Sequence, residues 1–130
     1  MAFAALDTHT LLWFTLDTQH LSARALDACH QMEEMGGLVC SISLWELGIK
    51  IKRGALTLPL DLPSYIQRLQ RLDWLEIISV DVELWLANLA LPWEHRDPVN
   101  RTIVAMAQLY NLPLVSKDQM IASFYAKTIW

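Results

Sequence analysis

The chain has 130 residues, of which 54% are hydrophobic and 18% are charged, a composition that suits one domain with a sizeable buried core. Its formal net charge of -4 argues against a protein that coats nucleic acid by bulk electrostatics, which needs an excess of Lys and Arg. Two cysteines without CxxC spacing exclude a disulfide scaffold, and no apolar run approaches the roughly 20 residues that cross a bilayer. We therefore expect a single cytoplasmic domain over residues 1–130 that has no membrane partner.

Short apolar segments alternate with helical segments along the chain. The apolar segments predict buried strands at 2–6, 38–42, 74–80 and 112–116, with a last edge strand at 127–130. Between them, periodicity and end signals predict helices near 9–15, 22–35, 44–53, 62–72, 81–90, 98–110 and 119–124. Such alternation is typical of a three-layer α/β/α fold with a mostly parallel central sheet, here of four to five strands.

Four acidic residues stand where an apolar strand or loop gives way to a helix: Asp7, Glu46, Asp97 and Asp118. In open parallel sheets, ligands bind beyond the carboxyl ends of the strands, near the point where strand order reverses. If the first strand is central, we expect these carboxylates to converge on one rim of the sheet. An all-oxygen cluster without cysteine or histidine spacing indicates Mg²⁺ or Mn²⁺ and not zinc.

Each of these acids also has a purely structural interpretation. Asp7, Asp97 and Asp118 occupy positions typical of helix N-caps, where a side-chain oxygen accepts a hydrogen bond from a free backbone N–H. Ser43 and Glu46 have the spacing of a capping box, in which the glutamate bonds back to the serine amide. Asp7 favours a functional role, because a carboxylate at the end of a buried strand is costly without a cation or donor.

Four segments surround these acids: LDTHTLLW (6–13), SISLWEL (41–47), HRDPVNR (95–101) and LVSKD (114–118). In this order, they resemble the motifs of PIN-domain proteins, and among them those of VapC-type toxins from type II toxin–antitoxin systems. The resemblance implies an endoribonuclease that depends on Mg²⁺ or Mn²⁺. It assigns the catalytic and metal-binding roles to Asp7, Glu46 and Asp118, with Ser116 as a supporting hydroxyl. From their positions in the same segments, we add Asp97 to the catalytic and metal-binding residues, Asn100 to the metal ligands, and Thr8 to the supporting residues.

Asn100 departs from the family pattern, because members of this branch commonly carry an aspartate at that position. Asparagine keeps a carbonyl ligand but loses a negative charge, so the positions 7, 46, 100 and 118 total -3 and not -4. We expect weaker metal binding as a result. Asp97 lies one helical turn earlier, and our hypothesis is that it partly restores the missing charge.

The resemblance also implies three partners: an RNA substrate, a cognate antitoxin that lies over the pocket, and a second copy of the chain. Arg101 and Lys117 are candidates for neutralising phosphate charge, and Arg96 for steering RNA toward the site. His9 and His95 lie near the proposed pocket, where contact with RNA is one interpretation of each, and a structural hydrogen bond is the one that we expect. Most of the six tryptophans are expected in the core, since Trp13 and Trp45 share helix faces with leucines, and an interface with a partner is the alternative position.

A second function stays open on the same motifs. A catalytically silent PIN-like module would use the scaffold to bind RNA or protein, and Asn100 is the residue that favours it. Retention of Asp7, Glu46, Asp97 and Asp118 argues for the nuclease, because clustered charges are costly to keep without a function.

Overall fold

A computed structural model describes residues 2–130, in which five parallel strands form one sheet. The strands are β1 (Ala4–Leu6), β2 (Gly37–Cys40), β3 (Leu75–Ile78), β4 (Leu114–Val115) and β5 (Thr128–Ile129). The α-helices are α1 (Thr8–Leu16), α2 (Ala23–Met35), α3 (Ser41–Lys52), α4 (Leu62–Gln70), α5 (Val82–Ala90), α6 (Pro98–Leu109) and α7 (Gln119–Phe124), and Thr18–His20 is a 3-10 turn. The order and type of these elements confirm the predicted α/β alternation.

The sheet has the strand order β3-β2-β1-β4-β5, which makes β1 central. Leu6 pairs with Val39 on one side and with Val115 on the other, so β1, β2 and β4 end at nearly the same level. Because all strands are parallel, the residues that follow them emerge at one rim of the sheet. The predicted convergence of Asp7 and the segment after β4 therefore depends on the central position of β1.

Two apolar cores cover the two faces of the sheet. Side chains alternate along β1, so Ala5 packs into the core under α5 and α6, while Ala4 and Leu6 pack into the core under α1, α2 and α4. All three β1 side chains are fully buried. Helices on both faces of a parallel sheet give the α/β/α layering that the sequence predicts.

The boundary between β2 and α3 lies earlier than predicted. The pairing of β2 with β3 ends at Cys40 and Ile78, and α3 begins at Ser41 instead of residue 44. Ser43 therefore lies inside the first turn of the helix, buried, where its Oγ accepts a hydrogen bond from Thr8 Oγ1 at 2.9 Å. The predicted capping box of Ser43 and Glu46 is wrong, because the N-cap residue is Cys40.

Other helix ends follow the sequence signals. Ser22 Oγ accepts the Ala25 amide as the N-cap of α2, and α2 ends at Gly36, whose φ of +99° is a conformation that favours glycine. Cys29 and Cys40 are buried free thiols, and burial raises their pKa to about 12 and about 11, which suits packing residues. Within residues 2–130, no helix has the length and apolarity needed to cross a membrane.

The tryptophans differ from the expectation that most lie in the core. Trp45 is 60% exposed on α3 and Trp85 is 43% exposed on α5, while Trp13, Trp74, Trp93 and Trp130 are partly buried. A helix face that carries leucines therefore does not by itself predict a buried tryptophan, since the ring extends beyond the leucine layer. Trp13 lines the candidate site.

Candidate active site

Asp7 is the buried carboxylate at the end of the central strand. It follows β1 directly and caps α1, with Oδ1 accepting a hydrogen bond from the Thr10 amide at 2.9 Å. Oδ2 accepts a hydrogen bond from Ser116 Oγ at 2.5 Å, although the two residues are 109 positions apart. Only 7% of Asp7 is exposed. Asp7 is therefore both a helix cap and a member of a long-range polar cluster.

Burial governs the charge state of Asp7. Loss of water around the carboxylate raises its pKa above the ordinary aspartate value, and the hydrogen bonds from Ser116 and Thr10 only partly oppose this shift. Folding without a cation therefore favours the protonated form of Asp7. A bound cation would reverse that preference, because it compensates the desolvation of the charged form.

Ser116 connects Asp7 to the second carboxylate of the site. Its Oγ donates to Asp7 and accepts the backbone N–H of Asp118 at 3.1 Å. Asp118 caps α7, with Oδ1 accepting the amides of Met120 and Ile121. Its Oδ2 accepts a hydrogen bond from Asn100 Nδ2 at 3.3 Å. One chain of hydrogen bonds thus joins the ends of β1 and β4 with the first turn of α6.

A cleft of about 360 Å³ opens at this rim, lined by Asp7, His9, Trp13, Lys117, Asp118 and Gln119. Among these lining residues, Trp13 and Gln119 carry no functional assignment from the sequence. Helix periodicity was the available signal for Trp13, because residues 9 and 13 lie one turn apart on the helix that Asp7 begins. The cleft therefore combines two carboxylates, two aromatic rings and an ammonium group.

Glu46 is paired with a lysine and not with the other acids. Its Oε2 lies 3.8 Å from Lys50 Nζ, one turn later on α3, and Lys50 Nζ lies 3.2 Å from His9 Nε2. The hydrogen bond between Thr8 and Ser43 holds the start of α1 against the same helix. Thr8 therefore supports the site through packing of α1 on α3.

Asp97 stands at the N-cap of α6 and does not line the cleft. Its Oδ1 accepts the Val99 amide at 2.9 Å, and its own N–H donates to His95 Nδ1 at 3.0 Å. Both hydrogen bonds stabilise the N-terminus of α6, the helix in which Asn100 contacts Asp118. The expectation of a structural hydrogen bond for His95 is confirmed.

Arg101 makes a set of contacts that differs from the predicted contact to phosphate. Its guanidinium donates to Asn88 Oδ1 at 3.2 Å and to the Asn88 carbonyl at 2.6 Å. It also donates to the carbonyls of Leu91, Trp93 and His95, in the connection between α5 and α6. These contacts engage the guanidinium inside the protein, so we assign Arg101 to holding this connection. Arg96 and Lys117 remain exposed at the surface.

Arg101→Ala is expected to lower the free energy of unfolding by about 3 kcal/mol, because several half-buried carbonyls lose a charged donor. Arg101→Lys should recover only part of this loss, since an ammonium cannot reproduce the planar fork. Urea unfolding of the three proteins measures the effect. A fully stable Arg101→Ala protein with weakened RNA binding would instead support the phosphate role.

The donor set suits a hard divalent cation, although it is smaller than the predicted cluster. Within residues 2–130, no three His, Cys, Asp or Glu side chains lie close enough together to hold a metal ion. The carboxylates that share the cleft are Asp7 and Asp118. Magnesium commonly binds proteins through one or two carboxylates and completes its shell with water and substrate phosphates. Asp7 and Asp118 satisfy that pattern, and the raised pKa of Asp7 is the feature that a cation would relieve.

Comparison with known proteins agrees with this architecture. Over 124 residues, the chain is 27% identical to Ribonuclease VapC22 of Mycobacterium tuberculosis, a match that covers 95% of this chain and 92% of the relative. The fold is similar to a chain in a toxin–antitoxin complex from Klebsiella pneumoniae, with a TM-score of 0.62 and 18% identity over 98% of this chain and 96% of that one. The PIN domain family model matches residues 4–127. The chain therefore belongs to the PIN domain family.

Proposed function

We propose that the protein is a metal-dependent endoribonuclease, the toxin of a cytoplasmic toxin–antitoxin pair. The observation that carries the proposal is the buried Asp7 carboxylate, linked through Ser116 to Asp118 at the floor of a cleft on the strand-end rim. A desolvated carboxylate with a raised pKa in a cleft is a feature of functional sites. The similarity to a protein named as a ribonuclease supports RNA as the substrate.

Asp7 and Asp118 are the residues that would hold Mg²⁺ or Mn²⁺, with the Asn100 amide oxygen as a third donor. When bound, a divalent cation supplies Lewis-acid activation of water and stabilisation of charge at the phosphate. Ser116 positions both carboxylates, because its hydroxyl bonds one side chain and the backbone of the other. Lys117, exposed at the cleft mouth, is placed to contact phosphate.

Glu46 and Asp97 have indirect roles in this proposal. Glu46 would add negative charge near the cation when its pairing with Lys50 at 3.8 Å opens. Asp97 lies one turn before Asn100. Its negative charge would attract the cation from a distance or through a bridging water molecule. Measured Mn²⁺ affinity of Asp97→Asn tests the second statement, and an unchanged affinity would restrict Asp97 to capping α6.

Removal of metal is expected to stop RNA cleavage. Purified chain would be incubated with structured and unstructured RNA in Mn²⁺, in EDTA, and in EDTA followed by excess Mn²⁺. We expect cleavage in the first and third conditions only, because Lys117 supplies the one ammonium group among the residues that line the cleft, and it does not replace a divalent cation at the phosphate. Sequencing of new 5′ ends identifies the cleaved bonds. Equal cleavage in EDTA would reject the metal-dependent mechanism.

The silent binding module is the second candidate function, and one contact favours it. Asn100 Nδ2 donates to Asp118 Oδ2, so this amide partly satisfies a carboxylate that would otherwise be available to a cation. A chain that binds RNA but leaves it intact at high Mn²⁺ concentration would establish this alternative. Metal-dependent cleavage that requires Asp7 would exclude it.

A cognate antitoxin is the protein partner that this function requires, since a free ribonuclease would degrade cellular RNA. The similarity in fold to a chain from a toxin–antitoxin complex supports this partner. The acidic cleft suits a partner segment that places a basic side chain between Asp7 and Asp118.

A second copy of the chain is the other proposed partner, and α5 offers the surface. Val82, Trp85, Leu86 and Leu89 follow one helix face and are 74%, 43%, 61% and 75% exposed. The four side chains are uncharged, so a two-fold interface between copies of this face would bury no charge.

Leu86→Glu combined with Leu89→Glu is expected to convert a dimer into a monomer, because each interface would then bury four like charges. Size-exclusion chromatography with light scattering measures the change. Met35→Glu is the matched control, since Met35 is 55% exposed at the end of α2, on another element. If the double variant is still a dimer, the interface is formed by another surface and not by α5.

A further inference from the structure

Three aromatic rings form a stack that extends from the acidic cleft along α1. The ring centroids of His9 and Trp13 are 5.5 Å apart with an interplanar angle of 21°, and those of Trp13 and His20 are 5.2 Å apart at 23°. His9 and Trp13 line the cleft together with Asp7 and Asp118. We call His9, Trp13 and His20 the aromatic stack.

Packing accounts for Trp13, whose ring centroid lies 5.9 Å from that of Trp130, but not for the two histidines that flank it. Trp13 is only partly buried, and both flanking histidines are exposed, so the stack ends in rings that face solvent. The apolar core beneath α1 is closed by Leu11 and Leu12, which are 0% and 9% exposed. Exposed rings bury little apolar area, so the hydrophobic effect gives them little reason to align.

Two ammonium groups flank the stack. Lys117 Nζ lies 5.9 Å from the centroid of the Trp13 ring, and Lys50 Nζ lies 3.2 Å from His9 Nε2. Planar rings next to cations are the chemistry that binds single-stranded nucleic acid, because bases stack on the rings and phosphates pair with the cations. The carboxylates of the cleft lie within the same cavity as His9 and Trp13. A base on the stack would therefore place its phosphate near the cleft.

We propose that the aromatic stack binds one unpaired base of the RNA, next to the phosphate at which the chain cleaves, an inference that rests on the proposed nuclease function. The exposed face of His9 receives the base, Trp13 supports His9 from behind, and Lys117 contacts the adjoining phosphate. In a duplex, the faces of each base are covered by its neighbours. The stack is consequently the surface that would select an unpaired base next to the cleavage site.

Binding of a fluorescent, unstructured oligoribonucleotide tests the inference. The chain carrying Asp7→Asn is used with Mn²⁺, so that binding is measured without cleavage. In this background we compare His9→Ala, Trp13→Leu and Trp13→Phe, with Trp45→Leu as the control for loss of a tryptophan that does not line the cleft. A second probe carries a single abasic position at successive sites, and a third is a perfect duplex.

We expect Trp13→Leu and His9→Ala each to weaken binding of the unstructured probe about tenfold, in the range of one stacked base. Trp13→Phe should retain most of the affinity, Trp45→Leu all of it, and the duplex should bind weakly to every protein. At one position, the abasic probe should lose affinity for the reference chain but not for Trp13→Leu. That coupling would identify the base that occupies the stack.

Unchanged binding in both His9→Ala and Trp13→Leu, or equal affinity for duplex and unstructured RNA, would overturn the inference. The inference would also be overturned if the chain that carries only Asp7→Asn bound none of the single-stranded probes. Because His9 is exposed, His9→Ala keeps the test valid if Trp13→Leu does not fold. Cleavage by the unmodified chain, measured separately, distinguishes failure of this inference from failure of the nuclease function.

Discussion

Asp7→Asn is expected to reduce Mn²⁺-dependent RNA cleavage by about 100-fold or more, which corresponds to a loss of about 3 kcal/mol of transition-state stabilisation. Asp7 is the buried carboxylate that lines the cleft, and asparagine preserves its size while removing its charge. Its hydrogen bonds with Thr10 and Ser116 have polar atoms at the same places in either residue. The variant is therefore expected to fold and to fail in metal binding and catalysis.

The same variant should be more stable than the unmodified chain when no metal is present. Burial raises the pKa of Asp7 in the folded state, so this group's contribution to stability is full at acidic pH and is lost as pH rises through the folded pKa. Asparagine does not titrate, so the stability of the variant does not fall with pH through this position. The melting-temperature advantage of the variant in EDTA should consequently grow from pH 4 toward pH 7.

In Mn²⁺, the unmodified chain should have the higher melting temperature, since only the unmodified chain is stabilised by binding the cation. Thermal unfolding at both pH values, in EDTA and in Mn²⁺, measures all four conditions. Asp118→Asn is the matched control, because Asp118 also lines the cleft but is less buried than Asp7. Its substitution should remove the stabilisation by Mn²⁺ without raising the melting temperature in EDTA. Cleavage that survives Asp7→Asn would remove Asp7 from the catalytic site.

Asn100→Asp is expected to tighten Mn²⁺ binding about tenfold or more and to raise the cleavage rate. The Asn100 amide donates to Asp118 Oδ2 at 3.3 Å, so an aspartate at position 100 would bring two carboxylates face to face. Two like charges about 4 Å apart repel by about 4 kcal/mol at an effective dielectric constant of about 20. The two carboxylates would repel less with a divalent cation bound, and ligand charge is a main determinant of affinity at such sites.

Without metal, Asn100→Asp should be less stable than the unmodified chain, because the hydrogen bond to Asp118 is replaced by repulsion. Asn100→Ala is the matched control, since it removes the hydrogen bond without adding charge. We expect Asn100→Ala to lose stability in EDTA and to show no gain in Mn²⁺ affinity. Calorimetric titration with Mn²⁺ and melting curves in EDTA measure both quantities. An Mn²⁺ affinity that Asn100→Asp leaves unchanged would remove position 100 from the metal site.

Local signals predicted most of the fold. Buried strands are visible in the sequence as short apolar runs, and some helix ends can be predicted from residues within one turn, such as Ser22 and Gly36 for α2. Several predicted boundaries differ from the structure by one or two residues, and the largest difference at a helix end is the start of α3. The apolar residues of 38–42 continue past Cys40, where pairing with β3 ends, and only that pairing decides where the strand stops. Sequence runs therefore located the elements, while contacts between strands set their ends.

The part of the candidate site that lies at the ends of strands could be predicted from the sequence. Asp7 and Asp118 were expected on one rim, and both line one cleft. Glu46 and Arg101 were assigned by their position in motifs, but position does not specify which partner a long side chain reaches. Glu46 pairs with Lys50 on its own helix, and Arg101 donates to carbonyls of the connection between α5 and α6.

The alternation of strands and helices, the carboxylate at the end of the first strand and the PIN-like motifs can be predicted from the sequence, because they depend on residues close together in the chain. Contacts between distant segments join Asp7 to Asp118 through Ser116, and they place Trp13 in a stack with two histidines beside these carboxylates. These contacts require β1 and β4 to be neighbours in the sheet. Strand order arises from packing of the whole chain, so no single segment encodes it.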